Sequence, residues 1–312
     1  MRFAGTVLVV LTAAAGCGDD SRDDGRELSA VATTAHVADL VRRVGGSRVE
    51  VHALVGQADP HGYEPRPSDA RAVAEAAVVF RSGGDVDEWL DEVLDNAGED
   101  APEVNLIDSV RTIEDDGDTD PHWWQDPRNA LLAVAAIRDS LAEADPAGRS
   151  AYARNAAAYA TRLRELDRAI AACIQRVPAA RRKLVTTHDS YGYFARRYGI
   201  EVVGALIPSR STQAQPSARD TLELVEQIER EGARAIFPES ALNPKLEEAV
   251  ARESGAEVGA ALWADSLGPE GSEGGTYAGA LASDAAAIAA GLSGGEVRCR
   301  PDTPREGSRR GR

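Results

Sequence analysis

From Pro146 to about Arg176 the chain has no internal proline, and Tyr152, Ala156, Tyr159, Leu163, Leu166, Ile170 and Cys173 recur at steps of three and four. That spacing lays one apolar stripe along a single helix face. At about 1.5 Å per residue it predicts a rod of roughly 45 Å, placed between two halves of comparable size. Such a rod is either an ordinary core helix or a stiff connector between two lobes.

On either side, strand-like runs alternate with helical ones. The strand-like runs are Leu28–Thr33, Val49–Val55, Val78–Phe80 and Val104–Ile107, then Leu184–Thr186, Val202–Leu206, Ala235–Phe237 and Val258–Trp263. Alternation of this kind predicts an α/β protein with mostly parallel sheets flanked by helices. A length of 312 residues suits two such units, and 43% hydrophobic residues suffice for substantial cores. Lys and Arg number 35 against 51 Asp and Glu, a net charge of −16, so a phosphate backbone would be repelled and a nucleic-acid partner is disfavoured. Apart from one tripeptide, no internal repeat is visible.

The amino terminus reads as an address. Arg2 precedes an apolar run from Phe3 to Ala15, which is too short to span a bilayer and has the form of a secretory signal. Ala14-Ala15-Gly16 directly before Cys17 resembles a bacterial lipobox, after which the cysteine carries the lipid; ordinary secretion is the alternative. The acidic stretch that follows suits a solvated tether. With Cys17 consumed, Cys173 and Cys299 are left as an even pair in an oxidising compartment, either bridged between the C-terminal tail and the long helix or as two free thiols.

Histidine occurs only at positions 36, 52, 61, 122 and 188, and two of these share a tripeptide, Asp59-Pro60-His61 and Asp120-Pro121-His122. Proline stiffens the backbone before each imidazole. His188 follows a strand-like run, and so does Asp265 in Ala261-Leu262-Trp263-Ala264-Asp265. In open α/β sheets the carboxyl ends of strands line the ligand crevice, so four groups far apart in sequence can converge there. Three imidazoles and a carboxylate make a complete tetrahedral set for one divalent cation. Unperturbed imidazole titrates near about 6.5, so binding should weaken as pH falls through roughly 6 to 5. His52 lies on the polar side of an alternating strand and is read as solvent-facing; His36 is read as a core histidine that at most borders the crevice.

The segments from Asp59 to Asp69, Asp120-Pro121-His122-Trp123-Trp124, from His188 to Phe194, and Asp265-Ser266-Leu267-Gly268 resemble the solute-binding lipoproteins of bacterial zinc and manganese ABC importers, over roughly residues 29–293. The resemblance implies two α/β lobes joined by one long helix, with the metal in the cleft between them and ligands at His61, His122, His188 and Asp265. It also implies an extracytoplasmic monomer, anchored to the membrane by its lipid, that delivers the metal to a permease. Glu239, after another strand, is a candidate for orienting a ligand or for capping a helix. The corresponding division is a signal peptide over 1–16, a lipidated tether over 17–28 and an N-terminal lobe over 29–145. A connecting helix over 146–177, a C-terminal lobe over 178–293 and a loose tail over 294–312 complete it.

One departure bears on the metal. Zinc-specific members commonly carry a His-rich loop ahead of the second ligand, whereas residues 114–120 read Glu-Asp-Asp-Gly-Asp-Thr-Asp, a solvated acidic loop that could at most gather cations loosely. Imidazole-rich sites suit zinc and oxygen-rich ones manganese, so zinc is favoured and manganese stays open. From other classes, a secreted zinc hydrolase would need an open coordination position and has no His-Glu-x-x-His run, and a surface adhesin would keep the fold with a different partner.

Overall fold

The computed structural model describes residues 27–98, 102–115 and 117–301; the signal, Cys17 and most of the tether lie outside them. The first half runs β1 (Leu28–Ala32), α1 (Ala35–Gly45), β2 (Val49–Ala53), α2 (Pro67–Ala74), β3 (Val78–Arg81), α3 (Leu90–Ala97) and β4 (Glu103–Asn105). A two-stranded hairpin of β5 (Glu114–Asp115) and β6 (Asp118–Thr119) and the helix α4 (Pro127–Ala144) follow. The long helix is α5 (Arg149–Ile174). The second half runs β7 (Lys183–His188), α6 (Gly192–Tyr198), β8 (Glu201–Ile207), α7 (Ala218–Glu231), β9 (Ala235–Phe237), α8 (Lys245–Ser254), β10 (Glu257–Val258) and α9 (Tyr277–Ser293).

Among the described residues there are two four-stranded parallel sheets, ordered β2-β1-β3-β4 and β10-β9-β7-β8. Read from the other edge, the second is β8-β7-β9-β10. Each half therefore starts in the middle of its sheet, places its second strand on one side and its third and fourth on the other. This is a repeat of topology that the sequence did not disclose. Parallel strands are covered on both faces, so the central ones are buried: Ala30, Val31 and Ala32 of β1 and Leu184 and Val185 of β7 have no exposed surface, and β7 ends in the buried polar residues Thr186, Thr187 and His188. Helix starts follow side-chain caps: Thr34 accepts from Val37 N ahead of α1, and Ser217 and Asp220 form a reciprocal capping box on α7.

In α5 the buried residues are the predicted stripe, Tyr152, Ala156, Tyr159, Leu163, Leu166, Ile170 and Cys173, extended by Ile174. The helix begins three residues later than the pattern suggested, because Pro146–Gly148 is a 3-10 turn whose Gly148 N donates to the Asp145 carboxylate at 3.1 Å. It is more than a bare connector. Its stripe belongs to a continuous core that also includes Val41 of α1, Ile137 of α4 and Ile288 of α9, so it is at once link and core helix.

Three expectations are corrected. The run Val258–Trp263 is strand only over Glu257–Val258; beyond it the chain runs beside β9 with isolated bonds, Gly259 N to Ile236 O at 2.8 Å and Leu262 N to Pro238 O at 2.8 Å. A Cβ at Gly259 would lie 2.7 Å from the Phe237 ring, which explains the glycine. Leu106 and Ile107, read as strand, form a 3-10 turn after β4. The tail is packed as far as Pro301: Val297 is buried, Arg176 donates to Arg298 O at 3.0 Å, and Cys173 and Cys299 are joined by a disulfide with Cα atoms 5.8 Å apart. The acidic segment is the β5–β6 hairpin, in which Thr119 Oγ1 donates to Glu114 at 2.9 Å.

Leu163 is fully buried at the middle of α5. Leu163→Ala should lower the unfolding free energy by about 2–5 kcal/mol through lost burial and a residual cavity, read from the urea midpoint at unchanged m-value.

Candidate metal centre

Each proposed ligand leaves the carboxyl end of a strand or the loop beyond it. His61 follows β2, His122 follows β4 by way of the β5–β6 hairpin, His188 is the last residue of β7, and Asp265 lies beyond β10. The repeated tripeptide has one local structure. In both copies the aspartate accepts a hydrogen bond from the backbone N–H of the histidine two residues on, Asp59 Oδ1 from His61 N at 3.0 Å and Asp120 Oδ1 from His122 N at 3.0 Å. This Asx turn, with proline at its centre, fixes the imidazole relative to the loop.

Neighbours then lock the loops. Trp89 Nε1 donates to Pro60 O at 3.0 Å, and Tyr193 OH donates to Asp120 O at 2.8 Å while accepting from Ile113 N at 3.0 Å. Across the seam, Thr212 Oγ1 donates to Asp59 Oδ2 at 2.5 Å, and Trp124 Nε1 and Gln125 Nε2 both donate to Ala264 O, the carbonyl just before Asp265, at 2.9 and 3.1 Å.

The four side chains meet. One ligand atom from each of His61, His122, His188 and Asp265 lies within 4.8 Å of all the others, and their side chains are at most 1% exposed. His188 Nε2 stands 3.0 Å and His61 Nε2 3.3 Å from Asp265 Oδ2. His122 Nε2 is 3.3 Å from His188 Nε2 and 3.6 Å from Asp265 Oδ1. A tetrahedral cation with ligands at about 2.0–2.1 Å requires separations of about 3.4 Å between them, so the group already has the right size. Two of the far nitrogens face a carboxylate: His122 Nδ1 lies 2.8 Å from Asp120 Oδ1 and His188 Nδ1 2.8 Å from Glu239 Oε2. An Nδ1–H held by a carboxylate leaves Nε2 as the lone-pair nitrogen, aimed at the common point. The carboxylate behind His122 is one that the sequence reading missed, although its signal was the aspartate of the tripeptide.

Burial opposes a charge on His188, yet Asp265 and Glu239 outweigh it and hold its pKa well above the usual imidazole value. Burial likewise opposes a charge on His61, and the neighbouring Asp265 carboxylate raises it. Burial would raise Asp265, but His188 and His122 draw it well below the carboxylate range. Glu239 is pushed up by burial, with His188 acting against that. His52 is exposed on β2 as expected. His36 is buried, stacked on Trp124 with ring centroids 5.2 Å apart, and burial lowers it to about 4, so it stays a neutral packing ring beside the centre.

The profile of the family described as zinc-uptake complex component A, periplasmic, matches residues 30–291. The chain belongs to this family. As a member of the zinc-uptake component family it is a metal-binding substrate-binding protein of ABC transport. It is 32% identical to the manganese-binding lipoprotein MntA of Halalkalibacterium halodurans, over 93% of this chain and 98% of that one. With the metal ABC transporter substrate-binding lipoprotein SloC of Streptococcus mutans it shares 29% identity, over 86% and 91%. Among solved structures, the periplasmic zinc-binding protein TroA of Treponema pallidum superposes with a TM-score of 0.81 at 29% identity, covering 86% of this chain and 99% of that one.

Protons and a cation compete for the same Nε2 lone pairs. Because His188 and His61 are both raised, protons are retained at higher pH than free imidazole would hold them, and the expected fall of affinity moves upward from the window of roughly 6 to 5. Metal binding at neutral pH should release protons, and affinity should rise with pH through neutrality. Calorimetry in buffers of differing ionisation enthalpy measures this directly; no proton release at pH 7 would contradict it.

Proposed function

We propose that His61, His122, His188 and Asp265 hold one divalent cation, zinc in preference to manganese, and that the protein hands this cargo to an ABC permease from outside the cytoplasmic membrane. The observation that carries the reading is the convergence of four buried ligand atoms within 4.8 Å. Asp265 has no hydrogen-bond donor on either oxygen among the described residues, and His61 Nε2 has no hydrogen-bond partner. A buried carboxylate without donors is costly, and a cation at the common point would satisfy every one of these atoms. Four protein ligands close a tetrahedral shell, which suits capture of an ion better than hydrolysis, where a position must stay open for water.

Zinc is supported by the three imidazoles, with carboxylates behind two of them, since manganese prefers more oxygen ligands. Manganese has support of its own in the manganese-binding relative MntA named above. Glu239 is proposed to orient His188 and not to bind the ion. The residue boundaries of the signal, tether, lobes and connector given above, lipid attachment at Cys17 and a monomeric state belong to the same reading; the lipoprotein relatives support the anchor.

His61→Ala, His122→Ala and His188→Ala should each weaken zinc binding by several orders of magnitude in a chelator competition, and His188→Glu should narrow the gap between zinc and manganese. Parent-like affinity in the alanine variants would remove the site assignment. In a deletion strain grown under chelation, zinc should restore growth through the plasmid-borne gene, and Cys17→Ala should shift the protein from the membrane to the soluble fraction. Rescue by manganese alone would reverse the choice of cargo and leave the four-ligand site in place.

A further inference from the structure

Helix α9 contributes no ligand, yet it touches the segments that bear three of them. Its first residue, Tyr277, donates through its hydroxyl to Trp124 O at 2.5 Å, two residues beyond His122, and its backbone N donates to Asp39 Oδ2 of α1 at 3.0 Å. Two helical turns later comes Asp284, 1% exposed. Its Oδ1 accepts from Trp263 N at 3.0 Å, two residues before Asp265, and its Oδ2 accepts from Tyr191 OH at 2.8 Å, three residues after His188. Tyr191 is itself 2% exposed, so the contact is dry. No cation is within salt-bridge reach of Asp284 among the contacts described, and burial raises it to about 7 against the pull of the Trp263 N–H and the Tyr191 hydroxyl.

A carboxyl group buried without a counter-charge is costly, and a core position on an alanine-rich helix has no need of one for packing. Its two oxygens instead bridge segments that emerge from different strands, one after β7 and one after β10. Each segment is bonded to a different neighbour, His188 pairing with Ile207 of β8 and Leu262 bridging to Glu239 beyond β9, and among the described residues no backbone hydrogen bond joins the two segments to each other. The bridge therefore supplies a fixed distance that the sheet does not.

We propose that Asp284 is a positioning residue for the metal centre, setting from α9 the relative placement of the segments that carry His188 and Asp265. This rests on the four-ligand reading above. What matters is the pair of hydrogen bonds and not the charge. An asparagine keeps an acceptor for the Trp263 N–H and offers an amide to the Tyr191 oxygen, whereas a leucine of similar volume offers neither.

The test uses the full secreted chain as parent, Asp284→Asn, Asp284→Leu, Tyr191→Phe and His61→Ala. The readouts are zinc affinity by chelator competition and the visible spectrum of bound cobalt(II), which reports ligand geometry independently of stability. Asp284→Leu should lose about tenfold in affinity with a changed cobalt spectrum, the size seen when a group behind a metal ligand is removed. Asp284→Asn should stay within about threefold of the parent with the parent spectrum, and Tyr191→Phe should fall between. Parent-like affinity and spectrum in Asp284→Leu would overturn the proposal, as would equal losses in the asparagine and leucine variants. If Asp284→Leu does not fold, Tyr191→Phe decides, and a parent-like result there overturns it. Undiminished zinc binding in His61→Ala would instead sink the four-ligand reading itself, so the two failures are told apart.

Discussion

Everything around the centre depends on one carboxylate withdrawn from water. Asp265 is 2% exposed and accepts no hydrogen bond among the described residues, a situation an isolated anion could not sustain. Three imidazoles aimed at it supply the compensation, and the consequence is mutual: Asp265 is held ionised while His188 and His61 are drawn upward. Charge of this kind, confined to a dry pocket, makes a site in which a divalent cation can replace protons with little rearrangement of the side chains.

Holding that arrangement falls to backbone polar groups and not to packing alone. The two Asx turns fix the histidines of the first half, and the donors of Trp124 and Gln125 clamp the carbonyl before Asp265 from across the seam. Because the last two bonds run between the halves, the loop bearing His122 is registered against the segment bearing Asp265. Behind them, Thr187 Oγ1 donates to Glu247 at 2.5 Å and accepts from Glu239 N at 2.9 Å, which ties the Glu239 segment to α8 and so to the partner of His188.

The scaffold is a pair of sheets with the same strand order, backed by α5 and α9. A shared core between the halves makes α5 a structural wall as well as a link, and the disulfide adds the C-terminal segment to the same wall. The topological repeat has a counterpart in the loops. His188 ends β7 directly after a Thr-Thr pair, and His36 lies in α1, one residue further on from Thr33-Thr34; the first faces Asp265 and the second stacks its ring on Trp124.

By itself the sequence determined the elements whose signal is local. A proline-free stripe with a period near 3.6 could only be one long helix, and its seven named apolar positions are all buried. The duplicated Asp-Pro-His needed no tertiary information either, since proline and an Asx turn act within three residues. Extended runs near strand ends were less legible: Val258–Trp263 has apolar residues suited to a strand, but a regular strand exists only where a neighbour pairs with it continuously, and beyond Val258 the pairing is reduced to isolated bonds. The tail looked loose because its composition is polar, while the packing of its described residues, 294–301, comes from partners more than a hundred residues away, as in the separation of 126 residues between Cys173 and Cys299. Likewise the contacts of Glu239 with His188 and of Asp284 with Trp263 and Tyr191 are distance relations between separate parts of the chain, whereas Asp120 reaches His122 within one tripeptide. Composition and period report which groups a chain has to bury, but only the closed fold decides which of them face one another.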